Sequence, residues 1–553
     1  MIYIKRLITV IIILVIIFTG GFYIYKSLLP NQEVISYSDE LYLIIEDVVI
    51  EEGQPVIYED GILYFSFDIL QEFIDENLFY EEEEEIITFT NKEKVKRYII
   101  NEEEATVNSK SFFITNVIKK INGKVYIPID LLYEDYDVDI NYFEETNAVV
   151  IDYKNIYYLT GDVIQANASI RTDLDTKSPI LENNLEIGKV LFVYGEFEKW
   201  YKVRTIEGVP GFIEKKYIKL NHIKDIYKTE LINKEEDFSV NPNKINLTWD
   251  YTYGKVQNID SIVAIPGVNT ISPTWFSIVD NEGKIYDKGN REYVAKYKKL
   301  GYDIWPMLDN DFDPDQTHEI LKLSSKREQI INELLRLYID YGFEGINIDF
   351  ENVYLKDKDL LTQFVRELYP LFKANNMTVS MDVTGLSTSE NWSLSFDRSR
   401  LKDTTDYLVL MAYDQHWASS PIAGSVAEYS WVEKSLKRIF DLIPREKLIL
   451  AVPFYTRVWT LEGDDISSQA VSMDVANKFI EKNNIELIWD DKAGQYYGEI
   501  NKDNKLMKIW LENAKSLEYK ASLIHKYDLA GIASWRKGFE TPDIWVTLSS
   551  VFQ

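Results

Sequence analysis

The chain has 553 residues, 90 of them acidic and 60 basic, for a net charge of −30 and a pI near 4.7. That balance excludes partners held mainly by anionic charge, nucleic acid above all, and the length implies several domains rather than one. There is no cysteine, so no disulfide holds any part together, and domains of this size carry cores sufficient to do without one.

Lys5-Arg6 precede an apolar run from Leu7 to Tyr25, long enough at 1.5 Å per residue to cross a bilayer of about 30 Å. Positive charge before the run and an acidic chain after it predict a membrane anchor over residues 1–30. The N-terminus would be cytoplasmic and everything beyond it exported to the cell surface. A cleaved signal peptide, giving a secreted protein, is the competing reading, although Phe22-Tyr23-Ile24-Tyr25-Lys26 offers no small-residue cleavage site.

Two small modules follow. Gly61-Ile62-Leu63-Tyr64-Phe65-Ser66-Phe67-Asp68-Ile69-Leu70 recurs in pattern as Gly123-Lys124-Val125-Tyr126-Ile127-Pro128-Ile129-Asp130-Leu131-Leu132, and the same offset aligns Ile87-Thr88-Phe89 with Val149-Val150-Ile151. The spacing predicts a duplicated α+β unit over residues 38–155, with Glu81 to Glu85 as a solvated turn between strands. Over residues 157–221, short strands such as Gly188 to Val193, Trp200 to Val203 and Gly208 to Ile213 alternate with turn signals and predict a small all-β barrel. Residues 221 to 243 read as a linker.

From about residue 240 to 553, helix-like and strand-like segments alternate. Strands are expected at Ser261 to Ile265, Asp303 to Met307, Gly345 to Glu351, Met377 to Val383, Tyr407 to Met411, Leu448 to Val452 and Gly531 to Ser534, with helices over residues 317–340 and 360–375. This is the pattern of a (β/α)8 TIM barrel, whose active site lies at the strand C-termini. The third of these strands, Gly345-Ile346-Asn347-Ile348-Asp349-Phe350-Glu351, puts Ile346, Ile348 and Phe350 on one face and Asn347, Asp349 and Glu351 on the other. Taken alone, the acidic pair also fits an exposed strand end or a helix N-cap region. Further polar and aromatic groups at other strand ends favour a converging pocket: Met411-Ala412-Tyr413-Asp414, Pro453-Phe454-Tyr455-Thr456-Arg457 and Ala533-Ser534-Trp535. Trp275, Trp305, Trp417 and Trp459 are candidate sugar-stacking faces. Four histidines with no pair at ligand spacing give no expected metal site, and no cofactor is expected.

Glu344 to Glu351 resembles the DGxDxDxE signature of family 18 glycoside hydrolases, the chitinase-like barrel enzymes, and the resemblance extends through the strand ends just quoted. It departs from the signature at Glu344 and Asn347, the latter as in the branch holding spore-cortex and peptidoglycan N-acetylglucosaminidases. The N-terminal repeat resembles the copper amine oxidase N-terminal-like domain, without any histidine or cysteine to hold copper, and residues 157–221 resemble a bacterial Src-homology-3-like domain.

Two carboxylates on one strand face approach from one side, which leaves no protein nucleophile opposite and points to substrate assistance by a C2 acetamide. Glu351 is then the acid and later the base, with Asp349 beside it raising its pKa. The resemblance further implies that Asp349 holds the acetamide N–H, Tyr413 donates to the acetamide oxygen, Asn347 orients Asp349, Asp414 supports Tyr413 and the sugar, and Trp535 floors the reacting ring. Tyr455 and Arg457 are expected in the substrate site. The implied partner is peptidoglycan or another N-acetylglucosamine-containing glycan, cleaved at β-1,4 bonds with retention. The alternatives are a chitinase or chitooligosaccharide hydrolase, or a non-catalytic carbohydrate-binding wall protein.

Overall fold

A parallel strand buried on both faces needs covering on each, and this requirement organises the C-terminal part of the chain. The computed structural model describes residues 2–154, 156–221, 244–252 and 258–551. Eight strand positions pair in parallel: Ile245–Asp250, Thr270–Pro273 with Phe276–Ile278, Asp303–Ile304 with Met307–Asp309, Gly345–Asp349, Thr378–Thr384, Tyr407–Met411, Leu448–Pro453 and Gly531–Trp535. The eighth pairs with both the seventh and the first, so the circuit closes and no edge is exposed.

The closed sheet has two cores. Ile346, Ile348 and Phe350 are fully buried in the outer one, together with residues of the surrounding helices such as Leu334, Tyr338, Phe364 and Leu368. Leu247, Trp249, Trp305, Met307, Val409, Ile449 and Ala533 fill the barrel interior. Gly345 starts the fourth strand because a Cβ there would lie 2.7 Å from the Trp305 ring and from the Thr378 carbonyl. The helix before it, Ser324–Tyr341, stops at Gly342, which adopts φ 73°.

The chain divides into two compact units, and the barrel's unit consists of residues 78–99, 104–113 and 236–553. Besides the barrel it holds two antiparallel sheets. One, between the seventh and eighth strands, has five strands from Tyr455–Glu462 to Lys505–Leu511 and the helix Met473–Asn483, over a small core of Val471, Ala476, Ile509 and Leu511. The other has five strands between Phe79–Glu81 and Lys110–Phe113. Arg97 of that sheet bonds Glu367 at 2.7 Å, and Arg327 lies 3.0 Å from both Glu367 and Glu81, all four side chains being buried. Burial pushes Glu81 up to about 7. Burial would raise Glu367 as well, but the two guanidinium groups outweigh it and hold that carboxyl low.

The other unit comprises residues 1–77, 100–103 and 114–235. The repeated segments form matching strand-helix pairs, Ile62–Ser66 with Phe67–Phe73 and Lys124–Pro128 with Ile129–Tyr133, and the two strands pair antiparallel with each other. Thr160 to Leu220 forms a seven-stranded sheet around Ile170, Leu191, Val203 and Ile213.

Several expectations are corrected. Ser261 to Ile265 is not a strand: Ile259–Ser261 is a 3-10 turn after which only Ile262 is buried, and the first barrel strand is the fully buried Ile245–Asp250. The helix expected over 317–340 is two helices, Pro314–Leu321 and Ser324–Tyr341, separated where Leu323 turns extended. Glu81 does not share the solvated turn of its neighbours, because Arg327 draws it into the interior. The N-terminal helix runs Ile2–Leu28, but among the described residues no helix is long and apolar enough to cross a membrane, so the anchor and the single-pass placement are without support. The expected linker, but for Asn221, lies outside the described residues.

Candidate active site

The inward face of the fourth strand carries Asn347 and Asp349, and Glu351 follows directly after the strand ends. Asn347 is fully buried. Its Oδ1 accepts from the Trp249 indole N–H at 2.7 Å, and its Nδ2 donates to Asp382 Oδ1 at 2.7 Å and to Ser380 Oγ at 3.3 Å. An indole N–H can only donate, so the amide orientation is fixed and its N–H groups must face the Asp382 carboxylate.

Asp349 is buried, and its Oδ1 has no hydrogen-bond partner among the described residues; nor does Asp382 Oδ2. Burial raises Asp349 well above the usual carboxylate range, reinforced by the charges of Glu351, Asp382 and Asp309. Asp382 is likewise raised, by burial first and then by Glu351, against the bond from Asn347. Asp309, in register with Asp349 on the neighbouring strand, accepts from Ser277 Oγ at 2.8 Å and is pushed up by burial.

Glu351 sits at the open edge of this cluster, partly exposed. Its pKa is pushed up to about 7, by burial first and then by the charge of Asp414. The expected cause was Asp349, but Asp349 is itself driven toward its neutral form, and a neutral neighbour exerts little repulsion. The backbone of Glu351 is clamped by the buried Asn310, which accepts from Glu351 N at 3.0 Å and donates to Glu351 O at 2.8 Å.

Tyr413, past the sixth strand, has its hydroxyl raised well above 10 by burial and then by Asp349 and Asp382, so it stays a donor. Its ring packs edge-on to Tyr455 at 6.4 Å. Tyr455 donates to Asp414 Oδ1 at 2.7 Å, and Arg457 Nη2 stands 3.6 Å from the same oxygen. Trp535 packs edge-on to Trp249 at 5.8 Å, which places it one ring from the indole that bonds Asn347.

Of the four other tryptophans, Trp275, Trp305 and Trp459 are 1%, 2% and 0% exposed and belong to the interior, leaving no face for a sugar. Trp417 is exposed and lines a cleft of about 750 Å³ with Glu351, Tyr413, Asp414, Trp392 and Trp431. Among the described residues no group of His, Asp or Glu is arranged to hold a metal ion. Asp309, Asn310 and Asp382 had not been anticipated. The polar set Ser380, Asp382 and Thr384 repeats every second residue, the signal that singled out Asn347 and Asp349, and could have revealed Asp382.

The arrangement offers a protonatable carboxyl near a buried carboxyl with an open acceptor, a phenol donor and a partly exposed indole at the last strand's end. Residues 276–539 match Glycosyl hydrolases family 18, and residues 44–151 match the copper amine oxidase N-terminal domain. The chain is 24% identical to an uncharacterized glycosylase of Bacillus subtilis (strain 168) over 312 residues, 54% of this chain and 89% of that protein. It is 26% identical to the cortical fragment-lytic enzyme of the same organism over 252 residues, 44% of this chain and 58% of that protein, so it spans little more than half of that relative. The solved spore cortex-lytic enzyme of Bacillus cereus shares the fold, with TM-score 0.51, 17% identity and coverage of 68% of this chain and 79% of that one. The chain is a multidomain protein whose barrel is a family 18 glycosyl hydrolase domain, preceded by a copper amine oxidase N-terminal domain.

Proposed function

We propose that the barrel cleaves β-1,4 bonds after N-acetylglucosamine in peptidoglycan of the cell wall or spore cortex, with retention and by substrate assistance. The acetamide oxygen of the bound sugar attacks its own anomeric carbon. The bond to the leaving oxygen breaks as Glu351 gives that oxygen its proton. Water then opens the cyclic intermediate while the Glu351 carboxylate takes a proton back, and two inversions leave the β configuration. Asp349 Oδ1 receives the acetamide N–H, Tyr413 donates to the acetamide oxygen, Asp414 holds Tyr455 and Arg457 beside the sugar, and Trp535 lies under the ring.

The observation that carries this reading is the unpartnered Oδ1 of buried Asp349 beside a Glu351 that keeps its proton to about pH 7. An unmet buried acceptor costs about 1–3 kcal/mol, a cost that an N–H from the substrate removes. The wall or cortex as substrate is supported by the cortical fragment-lytic relative. A purely carbohydrate-binding protein has no use for the protonated carboxyl.

The test incubates the full chain and its Glu351→Gln variant with vegetative peptidoglycan, spore cortex and chitin, and identifies the released fragments by mass spectrometry. N-acetylglucosamine reducing ends from wall or cortex with the natural chain alone are expected. Equal release by both proteins, or release from none of the glycans, overturns the reading, and cleavage confined to chitin moves the substrate.

A further inference from the structure

Trp535, the floor assigned to the ring whose bond is cut, is not among the residues lining the 750 Å³ cleft. The cleft is lined by Glu351 and Tyr413 together with Thr384, Ser389 and Trp392 after the fifth strand and Gln415 and Trp417 after the sixth. With Trp535 under the ring whose bond is cut on the proposed reading, the space that Glu351 lines without Trp535 is the one left for the sugar that departs. Its far wall is the helix Tyr429–Ile439. Trp431, Lys434, Ser435 and Arg438, spaced three, four and seven residues apart, put one helix face into the cleft, while Val432, Leu436 and Ile439 are buried behind.

Two cations on that face are out of keeping with a chain of net charge −30 and with a neutral sugar. Lys437, on the same helix, pairs with Glu433 at 3.5 Å. Lys434 and Arg438 have no carboxylate within ion-pair distance among the described residues. Arg438 gives one N–H to the Leu386 carbonyl at 2.8 Å, which ties its guanidinium to the loop lining the cleft and leaves further donors open. Three indoles offer flat apolar faces for a ring, and two cations with open donors stand among them.

We propose that Lys434 and Arg438 read a carboxylate carried on the leaving-group sugar, and so select glycans whose departing residue bears an anionic substituent over uniformly neutral chains. The inference rests on the proposed glycosidase reading for the direction of the cleft. The carboxylate could be that of a lactyl ether or of an attached peptide, and both present the same charge-assisted acceptor.

The experiment measures binding by calorimetry to the Glu351→Gln full chain, with and without K434A/R438A. The probes are chitotetraose, a peptide-free N-acetylglucosamine–N-acetylmuramic acid tetrasaccharide, its peptide-bearing form and its lactam form. The double substitution should weaken the carboxylate-bearing probes on the order of three- to tenfold relative to chitotetraose, as expected for two partly exposed charge contacts. K434R/R438K should retain most of the preference, and 0.5 M salt should erode it. A loss confined to the peptide-free form assigns the lactyl carboxylate, which an attached peptide converts to an amide; a loss for the peptide-bearing form alone assigns the peptide's own carboxylates; a loss shared by both shows that either carboxylate is read. The same loss for the neutral and lactam probes, or no loss for any, overturns the proposal. Absence of hydrolysis by the natural chain would defeat the glycosidase reading while leaving these binding ratios to decide the charge selection.

Discussion

Replacing Glu351 by Gln should inactivate the enzyme and stabilise it, the second effect growing from pH 4.5 and nearly complete just above neutral pH. In the folded chain Glu351 titrates at about 7 against 4.5 for the free side chain. A carboxyl raised in this way favours folding most below pH 4.5, where both states are protonated, and its contribution is lost as pH rises through 7, where the folded state must hold a buried anion. At 1.36 kcal/mol per pH unit the difference comes to about 3 kcal/mol at pH 8, less whatever solvent screens at the open edge of the side chain. Glutamine keeps the shape and never ionises. Removing the charge also eases Asp349 and Asp382, whose raised carboxyls both feel Glu351, and this acts in the same direction.

Scanning calorimetry of the full chain, compared between the two proteins at each pH, reads this difference. For a domain of this size about 2 °C per kcal/mol places the variant about 6 °C above the natural protein at pH 8, and the gap closes at pH 4.5. Turnover should fall by roughly 10²–10⁴ over the same pH range. A Tm difference independent of pH, or a variant less stable than the natural protein at pH 8, would refute the claim that the site stores its proton at a cost to the fold.

Asn347→Asp would bring a second carboxylate against Asp382, across a contact now 2.7 Å long. One proton must then be shared, so urea denaturation should show near-natural stability at pH 5 and a loss of about 1–3 kcal/mol at pH 8. Asn310→Ala removes both hydrogen bonds that fix the Glu351 backbone and should lower kcat about tenfold with a smaller change in KM, read from initial rates with circular dichroism as a control for folding. Arg327→Met removes the cation that pairs with Glu81 and leaves Glu367 with Arg97 as its remaining cation, and should cost about 3–5 kcal/mol by urea unfolding. Because Glu81 is raised to about 7 by burial, that cost should be larger at pH 8 than at pH 5.

The sequence signals succeeded where the periodicity was clean. Asn347 and Asp349 alternate with Ile346, Ile348 and Phe350, and in space the first pair faces inward while the apolar three are fully buried outward. The same rule failed at Ser261 to Ile265, where a short apolar run imitates a strand but lacks a strand partner, while Ile245–Asp250 shows no apolar run because Asn246, Thr248 and Asp250 interrupt it with polar side chains that are in fact buried. Trp275, Trp305 and Trp459 show the complementary error: position near a strand end does not say which way an indole turns, and these three turn inward.

Asn310 and Asp309 were invisible for a different reason. Their roles come from neighbours distant in the chain: Asn310 clamps a residue 41 positions later, and Asp309 faces Asp349 through strand register. Periodicity reports which face a side chain shares within its own segment, whereas a carboxylate cluster is made by the order in which segments close the barrel. Asn347 joins the two levels. Its own strand turns it inward, and the first and fifth strands supply the Trp249 donor and the Asp382 acceptor that its amide satisfies together without adding a charge. An aspartate there would satisfy the indole but add a third acidic group to Asp349 and Asp382. The departure from the family signature at this position therefore lowers the electrostatic load on the cluster, and with it the number of protons that Glu351 has to compete for.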